Sequence, residues 1–290
     1  MNYCIGGHNI KVTTYLGDDV LERLLPSFVP FETEDSSELL FSLEVCETLK
    51  ETDEADCRMV RDVDTGNGIT RVCKLTDGGY MFRVNDVSEH ECAIILCDAA
   101  FRECRCSING GLAIARFALN NTLMLIYAFS GAKKNTLLVH ASVVRHNGVA
   151  YAFTAKSGTG KSTQVANWLR HIEGCDMIND DNPIFRLTDD GVMLYGSPWS
   201  GKTPCYRNIM VPLGALMLIK RDERNYVKKQ QPIVAFSTLL TACSAMKWDE
   251  ELFQMVCSTV SKIVEKTTIA ELHCLPNAES AMVCKEFLEG

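Results

Sequence analysis

The residues best suited to chemistry stand in one stretch, Ala155-Lys156-Ser157-Gly158-Thr159-Gly160-Lys161-Ser162, with Thr163 directly behind it. An apolar, β-rich run at 149–154 precedes the stretch, and a helical pattern continues from it to Arg170. Strand, small-residue loop and helix in that order are the setting of a phosphate-binding loop. Small residues let successive backbone N–H groups turn inward on phosphate oxygens, and the start of the helix adds partial positive charge. On this reading Ser157, Gly158, Thr159, Gly160, Lys161, Ser162 and Thr163 bind ATP. Lys161 reaches the β- and γ-phosphates and the Ser162 hydroxyl ligates Mg²⁺. The pattern's first glycine is here Ala155, which a backbone of negative φ accepts.

A nucleotide loop needs an acidic partner for its metal. Asn179-Asp180-Asp181 follows a short apolar run at 175–178, and a carboxylate at such a strand end can sit beside the metal and the γ-phosphate. An Asp pair by itself is more often a cap or a solvated turn; its place after the loop, a helix and a strand favours function. Lys202 and Arg207 flank a second glycine-containing loop at 196–201 and can neutralise a phosphoryl group in transfer. Trp199 within that loop is expected to anchor it rather than stack on a base. His140 lies in an apolar run, where a lone histidine is commonly a satisfied core residue. Cys92, Cys97, Cys104 and Cys106 invite a zinc site, but no spacing is C-x₂-C, and core packing is the stronger reading. Met81, Met124, Met193, Met210 and Met217 are read as core filler.

The elements that must hold these residues follow from pattern. Up to about residue 108 the chain shows short alternating runs, such as Phe41, Leu43 and Val45 between Ser42 and Glu44, and the turn signal Asp77-Gly78-Gly79. This half is expected to be mainly antiparallel β. The carboxylate-dense stretch 47–56 reads as a solvated insertion. Residues 112–130 are apolar on nearly every face and suit a buried helix, giving domains at 1–111 and 112–290. In the second, strands are expected at 137–144, 149–154, 175–178, 183–187, 192–195, 213–219 and 268–274, with helices at 162–170 and 277–288.

Of 290 residues, 47% are hydrophobic and 23% charged, the composition of a folded globular chain. The net charge of −8 argues against nucleic-acid or anionic-lipid binding through bulk electrostatics. Residues 1–130 hold 11 Lys/Arg against 21 Asp/Glu, and residues 131–290 hold 18 against 16. An anionic ligand therefore prefers the second half, and the acidic first half is expected to be a docking or specificity module. Fourteen cysteines in a long chain that begins MNYCIGGHNIKV, without a basic stretch and an apolar core behind it, are read as reduced thiols of a cytoplasmic protein. Arg116, Asn120, Asn121 and Thr122 interrupt the most apolar segment, so no membrane span is expected.

At these residues the sequence resembles the HPr kinase/phosphorylase catalytic domain and, more distantly, the ATP-dependent phosphoenolpyruvate carboxykinases. The Ser157–Ser162 core looks like the loops of both families. His140, in Leu-Val-His-Ala-Ser, stands fifteen residues before Ala155, as a histidine does in HPr kinases. Asp180-Asp181 is similar to the paired aspartates that bind metal and take the proton from the substrate serine. Arg207-Asn208 resembles a pair whose arginine acts on phosphate. The Gly-Ser-Pro-Trp-Ser-Gly-Lys segment at 196–202 resembles a loop of HPr-kinase-like proteins. The resemblance covers roughly residues 112–290, and nothing in 1–108 looks like the N-terminal domain of HPr kinase.

The resemblance implies an α/β (α+β) P-loop core of the phosphoenolpyruvate carboxykinase/HPr kinase type behind a β-rich N-terminal part. It implies a kinase dependent on ATP and Mg²⁺, transferring the γ-phosphoryl group to a hydroxyl of a peptide, protein or small molecule, serine first among them. Asp180, Arg207 and His140 would be catalytic, with Asp180 accepting the hydroxyl proton, and Ser162 and Asp181 would hold the metal. Self-association is compatible with all of this. A nucleotide-binding sensor that transfers nothing and a carboxykinase-like enzyme are the competing readings.

Overall fold

Alternation of apolar and polar residues in the first hundred positions builds one eight-stranded sheet. The computed structural model describes residues 1–49, 56–64, 68–156 and 158–290. Most of the carboxylate-dense stretch, and Ser157 of the phosphate-binding pattern, lie outside the described residues. The chain divides into two compact units, Met1–Gly131 with Lys247–Asp249, and Ala132–Met246 with Glu250–Gly290.

The first unit runs β1 (Asn2–Ile5), β2 (His8–Thr14), α1 (Asp18–Leu24), a 3₁₀ turn (Pro26–Phe31), β3 (Leu39–Cys46), β4 (Cys57–Asp64), β5 (Ile69–Leu75), β6 (Tyr80–Asn85), β7 (Glu91–Cys97), β8 (Glu103–Ile108) and α2 (Leu112–Ala132). Its sheet order is β1-β2-β3-β8-β7-β6-β5-β4. Most pairs are antiparallel as expected, but β3 lies parallel to both β2 and β8. In β3, Phe41, Leu43 and Val45 are buried while Ser42 and Glu44 are not, the period-two pattern of a sheet with one face in the core. Cys92, Cys97, Cys104 and Cys106 are all buried.

The expected boundary at 111/112 falls one helix too early. α2 belongs with the first unit: the Tyr127 hydroxyl donates to the Ile5 carbonyl at 2.9 Å, and Phe129 joins a ring cluster with Phe82 and Phe101. Trp248 and Asp249 return to the same cluster, Trp248 edge-on to Phe129 and Asp249 accepting from the Tyr80 hydroxyl at 2.6 Å. Among the described residues α2 is the one helix long and apolar enough to cross a membrane; its Leu119, Leu123, Ile126 and Tyr127 are buried within the structure.

The second unit contains β9 (Thr136–Leu138), β10 (Ser142–His146), β11 (Val149–Thr154), α3 (Lys161–His171), β12 (Asp176–Asn179), β13 (Ile184–Thr188), β14 (Gly191–Tyr195), β15 (Met210–Arg221), β16 (Tyr226–Lys229), α4 (Pro232–Ala242), α5 (Glu250–Lys266), β17 (Thr268–Cys274) and α6 (Ala278–Glu289). The sheet order is β12-β10-β11-β15-β14-β13-β9, with β17 parallel to β15 and β16 paired to β17. β15 is the spine: its start pairs with β14 and its second half lies parallel to β11 and β17. Ala215, Leu216 and Met217 in that half are buried in succession, as a parallel strand covered on both faces requires. Leu216 faces α4 and α5 through Leu239, Val256 and Val260. Met217 faces α3 and α6 through Val165, Trp168 and Ala281. The protein is thus a mixed α/β chain with two sheets.

One strand expected at 137–144 is two, β9 and β10, with residues 139–141 breaking between them. In the break Val139, His140 and Ala141 donate their backbone N–H groups to Pro183, Ala242 and Asp181. Buried Val139 and Ala141 flank exposed His140, so the local pattern imitates a strand. Met210, read as core filler, is 54% exposed because it opens β15 on the outward side.

Candidate functional site

β11 carries the chain to the glycine loop. Gly158 and Gly160 have φ of 74° and 134°, a region that side chains disfavour, and open space lies where a Cβ would stand on either. The turn closes with the Thr159 N–H on the Lys156 carbonyl at 3.1 Å. α3 begins at Lys161; among the described residues no side chain caps its first turn, which holds no acidic residue. The leading amides of a helix have no partner within it, and Ser162 and Thr163 here are exposed. A helix start of this kind has the partial positive charge and the outward amides that anions favour.

Three of the expected residues meet at its mouth. Lys161 Nζ lies 2.8 Å from His140 Nε2, and His140 Nδ1 lies 3.1 Å from Asp181 Oδ1. An ammonium can only donate, so Nε2 accepts and Nδ1 carries the ring proton toward Asp181. Burial pulls the Lys161 pKa below its usual value, against the upward pull of Asp181 and Asp180. The break between β9 and β10 sets His140 here, fixed by the Thr154 hydroxyl donating to its carbonyl at 3.0 Å.

Asp180 and Asp181 are neighbours in different states. Asp180 is 5% exposed, with Oδ1 accepting from the Ser142 hydroxyl at 3.1 Å and Oδ2 from the Thr203 N–H at 3.0 Å. The Asp181 side chain is 32% exposed and accepts from the Asn182 amide at 2.6 Å as well as facing His140. Asn179 makes the turn that separates them: its Oδ1 accepts from the N–H groups of Asp181 and Asn182. Its amide donates to the Ser197 hydroxyl and the Trp199 carbonyl, both at 3.1 Å. The 196–202 loop is thereby pinned to the end of β12, with Trp199 buried in it. A Cβ on Gly201 would stand 3.3 Å from both the Asp180 carbonyl and the Asp181 Cβ.

Arg207 is not brought to this cluster. Its Nη1 donates to Asp176 Oδ2 and the Met177 carbonyl, each at 2.6 Å, at the opposite end of β12 from the aspartate pair. Arg145 grips the same carboxylate through two bonds of 2.9 and 2.7 Å. Burial raises the Asp176 pKa, but the two guanidiniums outweigh it and hold the group below its usual value. Lys202 is exposed on the pinned loop.

Sequence reasoning missed Ser142, Asn179, Asn182 and Arg221. Only Asn179, next to the aspartates, carried a local signal, that of a side chain that closes its own turn. Arg221 donates to the carbonyls of Gly158 and Thr159 from 62 residues beyond Thr159.

Among the described residues no group of three His, Cys, Asp or Glu could hold an ion, whereas Mg²⁺ commonly takes one or two protein ligands with phosphate and water completing its shell. Of the two side chains expected to hold the metal, Ser162 is exposed and the Asp181 side chain is 32% exposed. The chain matches no model of a known protein family and no curated protein.

Proposed function

We propose that the second unit is a P-loop kinase core that binds ATP with Mg²⁺ and transfers the γ-phosphoryl group to a hydroxyl, a serine of a peptide or protein being first choice. The observation that carries the reading is the convergence of Lys161, His140 and Asp181 at the mouth of a glycine loop that opens α3. Lys161 exchanges His140 for the β- and γ-phosphates, and the loop amides hold the same oxygens. Ser162 and Asp181 would hold Mg²⁺, and the ion would supply neutralisation of phosphate charge. Release of Lys161 leaves His140 Nε2 free, with Asp181 orienting the ring from Nδ1, so the acceptor's proton passes to Nε2. The hydroxyl oxygen then bonds to the γ-phosphorus as the bridge to the β-phosphate breaks.

This allocation moves the proton acceptor from Asp180 to the His140–Asp181 pair. Both Asp180 oxygens are engaged and the group is buried, which suits it to holding the 196–202 loop. Arg207 becomes part of the β12 framework. The same two commitments support a second reading, a nucleotide sensor without transfer, because they withdraw two of the residues a kinase was expected to use. Incubation with γ-labelled ATP and a lysate of the source cell separates the two. A kinase labels an acceptor with wild type and not with Asp181→Asn; a sensor labels nothing with either.

A further inference from the structure

Arg221 ends β15 at a braced corner. Its backbone is in parallel register with Cys274 of β17. The next residue, Asp222, accepts from the N–H groups of Glu223 and Arg224 and from the Tyr226 hydroxyl. Asp222 also meets His273 Nδ1 at 3.1 Å, while the other ring nitrogen meets Glu271 at 3.0 Å and the ring stacks on Tyr226 with centroids 4.5 Å apart. β11 leaves the sheet at Thr154, opposite Leu218. Arg221, three residues further along, therefore stands about 10 Å beyond that point, level with the loop.

From this corner the guanidinium reaches back onto the loop. Nε donates to the Thr159 carbonyl at 3.1 Å and Nη2 to the Gly158 carbonyl. A trans peptide points its N–H opposite its C=O, so both bonds set amide directions. The Thr159 N–H is turned onto Lys156, and the Gly160 N–H is turned away from Arg221. The backbone held this way includes Gly158 and Gly160, whose positive φ values leave the unclasped loop many other conformations. A planar fork bonded to two successive carbonyls gives directional control that a single ammonium does not.

We propose that Arg221 is a positioning residue of the glycine loop, clasping its carbonyl side so that the turn at Thr159 is held closed and the Gly160 amide is preset for a polyphosphate anion. The ligand part rests on the reading of that loop as a nucleotide site; the clasp itself can be tested without ligand. Amide hydrogen exchange is measured on the full ligand-free chain for wild type, Arg221→Ala and Arg221→Lys, alongside calorimetric titration with ATP and Mg²⁺. Arg221→Ala is expected to raise exchange across 158–163 by tenfold or more while leaving α6 and the thermal midpoint unchanged, and to weaken ATP binding at least tenfold. Arg221→Lys, able to restore one bond, falls between. Unchanged loop exchange in Arg221→Ala overturns the clasp, whatever the wild type binds. Faster exchange with unaltered ATP affinity overturns the preset. A wild type that takes up no ATP overturns the nucleotide reading and the preset with it, and leaves the clasp to stand or fall on exchange.

Discussion

β12 carries carboxylates at both ends, and the two ends behave differently. At its start Asp176 is gripped by Arg145 and Arg207 through three hydrogen bonds to side chains, and it holds its charge for structural ends. Just past its finish Asp181 is more loosely held, by a neutral amide and a histidine that also meets Lys161. Charge-assisted bonds from two guanidiniums are harder to exchange for a metal or a proton than bonds from neutral partners. Asp180, adjacent to Asp181, likewise has a neutral partner on each oxygen, but it is only 5% exposed. Acidic residues near a glycine loop are therefore separated by partners and by exposure, and proximity alone does not make them chemical.

The largest effect that would sharpen this contrast is on transfer. Asp181→Asn should slow it by at least about 10²-fold, or about 2.7 kcal/mol of barrier, through loss of the charge that orients His140; His140→Gln should do the same. Single-turnover labelling measures both, and a rate near wild type in either variant breaks the proposed division of roles. Next in size is Lys161→Ala, which should remove most of the nucleotide-dependent stabilisation, about 2.7 kcal/mol when ATP is at a hundred times its dissociation constant. Its ligand-free melting temperature should hardly move.

Asp176→Asn tests the other end of β12. The pair is more than a third exposed on the Asp176 side, so solvent screening limits the loss to about 0.5–1 kcal/mol. The native pKa is depressed; the stabilisation is therefore present above the unfolded value, about pH 4, and is lost as pH falls through the native one. Urea melts of wild type and variant should differ at pH 7 and converge under strong acid. Asp180→Asn should have the smallest effect on transfer, under about tenfold. The amide oxygen can still accept from Thr203, and its nitrogen can donate to the Ser142 hydroxyl. A hundredfold loss there, measured in the same labelling assay, would restore Asp180 as the proton acceptor.

The sequence made the punctuated parts legible. β11 and β17 have the bounds read from their apolar runs, and α6 starts behind Asn277, which caps it through Ser280. The glycine loop and the turn at Asn179 announce themselves by residue type. His140 reads as part of a strand because the apolar residues on both sides of it complete a run. α5 was passed over although Leu252, Val256, Val260 and Ile263 carry a readable helical spacing; α4, with an uncharged sequence, offered less. What stayed hidden was partnership over distance. Arg207 reaches Asp176 across 31 residues and Arg221 reaches Thr159 across 62, and a surface arginine looks the same whether it will meet a phosphate, a carboxylate or a backbone carbonyl.

The central claim is that the glycine loop, with Lys161 at its mouth, is a polyphosphate site. Calorimetric titration of the full chain with ATP in millimolar Mg²⁺ tests it most directly. Wild type should saturate at one site per chain, and Lys161→Ala, folded to the same melting temperature, should show no binding in the same range. A wild type that gives no saturable heat at millimolar ATP would contradict the account, as would equal affinity in the Lys161→Ala variant.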